Sequence, residues 1–135
     1  MAVTWSIHPS QQRVILTVTD PYTLEEWGAA VTGALDHPGF APGFAFLVDR
    51  RGCSAPTGSF VQQQLDFLAR QERLRVPHRV ALVVRPEDAA AYGMARMLET
   101  LAGLQATAIQ HGIFRSVDEA ERWLDAAEPA GPAAE

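Results

Sequence analysis

Asp49-Arg50-Arg51-Gly52-Cys53-Ser54, followed closely by Thr57-Gly58-Ser59, gathers most of the side chains in this sequence that can do chemistry. The chemistry such a set suits is anion recognition. Arg50, Arg51 and, further along, Arg85 can each present a planar fork of donors to a carboxylate or phosphate. A helix opening at Thr57 to Ser59 adds free backbone N–H groups and the positive end of its dipole. The competing reading is that Asp49 caps or pairs locally and the arginines form a solvated rim, because structural ion pairs are common at strand ends. Cys53 follows two arginines, which favours the thiolate. A nucleophile also needs a base within reach, and no histidine is close in sequence. His8, His37, His78 and His111 are scattered, with no pair at the i, i+4 spacing of helical ligands, so neither a metal centre nor a cofactor is expected. Every cation is arginine, and the absence of lysine removes Schiff-base and P-loop lysine chemistry.

The bulk properties narrow the classes further. A chain of 135 residues with 47% hydrophobic and 20% charged residues has the size and composition of one globular domain. A net charge of −5 lacks the basic footprint of a general nucleic-acid binder. One cysteine cannot form an intrachain disulfide, and neither a signal peptide nor an apolar run of spanning length is visible, so the expected location is the cytoplasm.

The elements that must position these residues follow from periodicity. Val3, Trp5 and Ile7 alternate with polar residues, and Val14 to Val18 follows the turn Pro9 to Gln12; both are strands, antiparallel to each other. Thr23 and Glu26 fit a capping box, opening a helix with Leu24, Trp27, Val31 and Leu35 on its apolar face and His37-Pro38-Gly39 at its end. Ala45 to Val48 lacks alternation, as a strand buried on both faces does. A long helix is expected from Thr57-Gly58-Ser59 to just before Pro77, then a central strand Arg79 to Val84. Pro86-Glu87-Asp88 opens a third helix with a stripe of Met94, Met97, Leu98 and Leu101. The last strand lies within Ala106 to Phe114, and Ser116 with Glu119 fits a second box before a short helix carrying Val117, Ala120, Trp123 and Leu124. The expected fold is α/β, a five-stranded mixed sheet in the order β-β-α-β-α-β-α-β-α with the first strand antiparallel at an edge and four helices. Residues 1–127 form the single domain and 128–135 a disordered tail.

Two apolar features carry functional alternatives. On the second helix, Phe60, Phe67 and Leu74 recur every seven residues beside Val61, Leu65 and Leu68, a face wider than one sheet-facing stripe needs. It suits an apolar ligand pocket, a dimer interface, or a core surface covered by the loop of Phe40 and Phe44. On the third helix, Tyr92 and Arg96 fall opposite the methionine stripe, either stacked locally or exposed to a partner.

Element order, Leu47-Val48-Asp49-Arg50-Arg51-Gly52, Tyr92-Gly93-Met94-Ala95-Arg96-Met97 and Val117 to Leu124 together resemble the STAS superfamily, in particular its stand-alone bacterial proteins. The resemblance implies a non-enzymatic module that binds a protein or a small ligand. In the anti-sigma-factor antagonists of that superfamily a phosphorylated serine opens the helix after the aspartate. Here Gly58 stands at that place with Ser59 beside it, which argues against a phosphoswitch. The leading expectation is therefore a non-catalytic STAS-like interaction or regulatory module. It would work through the second-helix face and the Asp49 rim, bind a protein partner or itself as a homodimer, and touch neither nucleic acid nor the membrane interior. The alternative is a carrier of a small apolar or acidic, lipid-like ligand, with Phe40, Phe44, Phe60 and Phe67 around the pocket and the arginines on the head group.

Overall fold

Alternation, caps and turn residues produce the expected elements in the expected order in the computed structural model, which describes residues 2–104 and 109–126. The strands are β1 (Val3–His8), β2 (Arg13–Thr19), β3 (Ala45–Gly52), β4 (His78–Val83) and β5 (Ile109–Phe114). The helices are α1 (Leu24–Asp36), α2 (Gly58–Ala69), α3 (Ala89–Leu104) and α4 (Val117–Asp125). The sheet runs β1-β2-β3-β4-β5, with β1 antiparallel to β2 at one edge and the other pairs parallel. The fold is thus the five-stranded mixed α/β sheet with four helices.

Because each parallel connection moves one strand further in the same direction, right-handed crossovers put α1, α2 and α3 on one face. Val14, Leu16, Val18, Phe46, Val48, Val80 and Leu82 point to that face and build the larger core with α1 and α3. Leu47, Ala81 and Val83 point the other way and pack on Ala120 and Leu124 of α4. The central strands β3 and β4 are therefore covered on both sides, which is why their sequence shows no alternation.

Local signals fix the helix ends. The Thr23–Glu26 capping box forms in both directions, with Glu26 N–H donating to Thr23 Oγ1 at 3.0 Å and Thr23 N–H to Glu26 Oε1 at 2.9 Å. Ser116 accepts from Glu119 N–H at 3.1 Å and starts α4. Asp88 accepts from Ala91 N–H at 2.9 Å and starts α3.

Three expectations are corrected. The second helix does not run to Pro77: it ends at Ala69, Gln71 takes an extended conformation, and Glu72–Leu74 forms one separate 3-10 turn. That break drops Leu74 toward the sheet, where it is buried. The buried stripe of α3 is Ala91 and Ala95, flanked by half-buried Met94 and Leu98, while Met97 is 37% exposed; the small alanines let α3 approach and turn Met97 outward. β3 does not stop at Val48 but continues through Asp49, Arg50 and Arg51 to Gly52. The side chain of Leu101, the segment 105–108 and the expected tail 128–135 fall outside the described residues.

Candidate functional site

Strand geometry decides what becomes of the Asp49-Arg50-Arg51 run, since neighbours in a strand face opposite sides of the sheet. Asp49 and Arg51 share the α4 side and hold each other. Arg51 Nε and Nη2 donate to the two Asp49 oxygens at 2.9 and 2.8 Å, and the Arg51 backbone N–H adds a third bond at 3.1 Å. Arg51's guanidinium is the main reason the Asp49 carboxyl sits below the usual carboxylate range. Arg50 points to the other face. Its Nη1 donates to the Tyr22 hydroxyl at 3.0 Å and its guanidinium lies 5.7 Å from the Tyr22 ring centre. Its Nη2 is buried without a hydrogen-bond partner. The expected rim is thus divided between the two faces.

Arg50 closes one end of a cavity of about 90 Å³ between the sheet and the three helices. Leu16, Phe46, Val48, Val80 and Leu82 form its floor, with Val61 and Leu68 of α2 and Met94 and Leu98 of α3 above. The space exists because α2 packs on α1 and α3 more than on the sheet. Two edge-to-face aromatic pairs fasten α2 to the start of α1: Tyr22–Phe60 at 5.5 Å and Trp27–Phe67 at 5.4 Å between ring centres. Gly28 makes the second seat possible, since a Cβ there would stand 3.1 Å from the Phe67 ring.

The lining is apolar except at a few positions. Gln64, His78 and His111 line the cavity with Arg50, and the first three are at least nine-tenths buried. The register Val80↔His111 and His78↔Ile109 puts the two histidines on the same face of adjacent strands, one diagonal apart. His78 Nδ1 lies 2.9 Å from Val76 O; a carbonyl only accepts, so Nδ1 carries the proton in the neutral ring. Burial lowers the pKa of both histidines, His111 to about 4 with the neighbouring His78 as a second cause. Both are therefore neutral at pH 7.

The remaining candidates occupy other places. Thr57 caps α2 by accepting from Phe60 N–H at 3.2 Å, and the Ser59 hydroxyl bonds Thr57 at 3.2 Å. Arg85 pairs with Asp88 at 3.0 Å on the surface. Leu74 lines the cavity, whereas Phe60 and Phe67 fill the α1–α2 seam, and Phe40 and Phe44 pack with Phe46 at the other end of the core. None of the four phenylalanines expected around a pocket lines it; Trp27 and Phe46 are its aromatic residues. Tyr92 does not stack on Arg96: Arg115 lies 4.3 Å from its ring centre, and Arg96 pairs with Glu99 at 3.3 Å. Cys53 is buried and donates to Val18 O at 3.1 Å; burial raises its thiol pKa, the reverse of an activated nucleophile.

The histidine pair and Gln64 were missed by sequence reasoning. Their only sequence signal is a polar residue whose neighbours two away in a strand, or four away in a helix, are apolar. Among the described residues no group of three or more His, Cys, Asp or Glu could hold a metal ion, and no helix is long and apolar enough to cross a membrane. In comparisons with known proteins, no family model, curated protein or solved structure matches this chain at a significant level.

Proposed function

We propose that this chain is a cytoplasmic, non-catalytic STAS-like module that binds a small apolar acid in the cavity beneath α2. One observation carries the reading: Arg50, which lines a mostly apolar cavity, has a charged donor, Nη2, buried without a partner. Leaving a buried charged donor unpaired costs more than a typical hydrogen bond gains, so a ligand carboxylate that pairs with it is strongly favoured. Tyr22 holds the other guanidinium arm and fixes the direction in which Nη2 points. The acyl chain then covers Val48, Leu82 and Leu68, gaining burial at roughly 25 cal/mol per Å².

The volume sets the size of the guest. About 90 Å³ is less than the roughly 150 Å³ dry cavity that admits a benzene ring. Short chains fit first, and longer ones require α2 to lift from its two aromatic seats. The expected homodimer through the α2 face has less support than the carrier, since Phe60 and Phe67 are turned toward α1. Among the described residues the exposed large hydrophobic side chains are Val76 and Met97 alone, too little for a broad apolar interface.

The test is isothermal titration calorimetry of butanoate, hexanoate and octanoate against the wild-type chain and Arg50→Gln. Saturable binding of at least one acid, weakened roughly tenfold or more by the substitution, is the expected result. Equal affinity in both proteins, or no binding of any acid, removes the reading.

A further inference from the structure

Two helices on the same face of the sheet offer it side chains of very different size. α1 buries Trp27, Val31 and Leu35, whereas α3 buries Ala91 and Ala95, and both alanines line the cavity. The larger residues of α3, Met94 and Leu98, stand beside them and pack on Val61 and Leu65 of α2. α3 therefore helps to hold the roof while leaving space where its alanines face the cavity. That wall also has a direction. The register Asp49↔Val83 puts Arg50 level with Val84, where the chain leaves β4 and turns toward α3. The turn is tight, with Asp88 N–H donating to Arg85 O at 3.1 Å. Because β4 and β5 are parallel, α3 runs back from this end of the sheet toward the start of β5. Ala91, in the first turn of α3, thus lies toward the Arg50 end, and Ala95 lies about 6 Å further in.

We infer that α3 sets the length of the ligand: Ala91 makes room for the carbons next to the carboxylate, Ala95 for those at the end of the chain, and the guest is a short-chain acid. The volume gives the length. A dry cavity of roughly 150 Å³ takes the six carbons of benzene, so in proportion about 90 Å³ takes about three to four carbons beyond the carboxylate, the chain of butanoate or pentanoate. Each carbon that finds room is removed from water and strengthens binding roughly fourfold. A carbon that finds none must displace packed side chains, which costs free energy in place of gaining it.

This inference rests on the proposed acid site, and the experiment separates the two. NMR titration at pH 7 with the straight-chain acids from acetate to octanoate locates the length at which affinity stops rising. In the wild-type chain affinity should rise roughly fourfold per carbon as far as butanoate or pentanoate and then level or fall. Ala95→Val should move that limit to propanoate while acetate stays within about twofold of wild type, and Ala95→Gly should move it the other way by about one carbon. Ala91→Val, nearer the carboxylate, should weaken propanoate and every longer acid together. A role in folding alone would not shift the limit in opposite directions with side-chain size. A limit that stays in place in both Ala95 variants, a loss in Ala95→Val that is equal for acetate and the longer acids, or a wild-type affinity that keeps rising to octanoate overturns the inference while leaving the acid site standing. If Ala91→Val does not fold, the two Ala95 variants and the wild-type series decide. Failure of every acid to bind the wild-type chain overturns both.

Discussion

The two faces of the sheet are covered in different ways. On the α4 side one short amphipathic helix lies directly on β3, β4 and β5, and the fit is close. Trp123 packs on Phe114 at 5.3 Å between ring centres and under Arg79 at 4.7 Å, and buried Arg13 reaches Asp125 at 2.6 Å. Gly112 is required there, since a Cβ would stand 2.8 Å from the Phe114 ring. On the other side three helices share the work, yet the middle one rests on its neighbours and leaves a cavity containing buried polar groups. A protein interior is normally close-packed and its polar groups paired. The α4 face is close-packed and reads as scaffold, although Arg13 Nε there is also buried without a partner. What separates the α2 face is its cavity, lined by the residue that carries the other unpaired donor, Arg50, and that combination marks a binding site.

Acid should separate the faces most strongly. The unfolded chain binds a proton at His111 near the ordinary histidine pKa of 6.5, while the folded chain resists until about 4. Stability from this group is full above pH 6.5 and is lost as pH falls toward 4. The loss amounts to about 3 kcal/mol if the whole interval is traversed. Urea unfolding at pH 7 and pH 4.5 should show a steeper loss for wild type than for His111→Leu; equal losses would mean that the cavity face is not the acid-sensitive one.

A pair of enlargements sharpens the contrast in packing. Ala120→Leu, on the close-packed face, should destabilise by about 1–3 kcal/mol, because no space receives the added carbons. Ala95→Leu adds the same carbons into the cavity and should change stability by less than about 1 kcal/mol while abolishing octanoate binding. Thermal unfolding with and without octanoate measures both, and equal costs at the two sites would erase the distinction between the faces. The smallest effect is expected at Met97, exposed on α3: Met97→Gln should stay within about 0.5 kcal/mol in chemical denaturation. A larger loss would return Met97 to the core stripe.

The element order was legible because its signals are local. Thr23 and Glu26 cap α1 as their spacing says, and the unbroken apolar runs of β3 and β4 lie between two covered faces. The length of α2 was misread because Leu74 continues a helical spacing by coincidence. Its burial comes from the separate turn at Glu72–Leu74, where tertiary packing overrides the pattern. The Asp49-Arg50-Arg51 run was recognised as chemically capable, but its division between faces depends on the strand continuing to Gly52.

The sequence by itself determined which segments become strands and helices, where the caps lie, and that parallel strands need helical crossovers, since each of these is settled within a few residues. Only the tertiary structure decided that Arg50 and not Arg51 enters the interior, that His78 and His111 stand together, and that α2 is held off the sheet. Those outcomes depend on strand register and on how three helices share one face, quantities set by contacts between residues thirty or more positions apart.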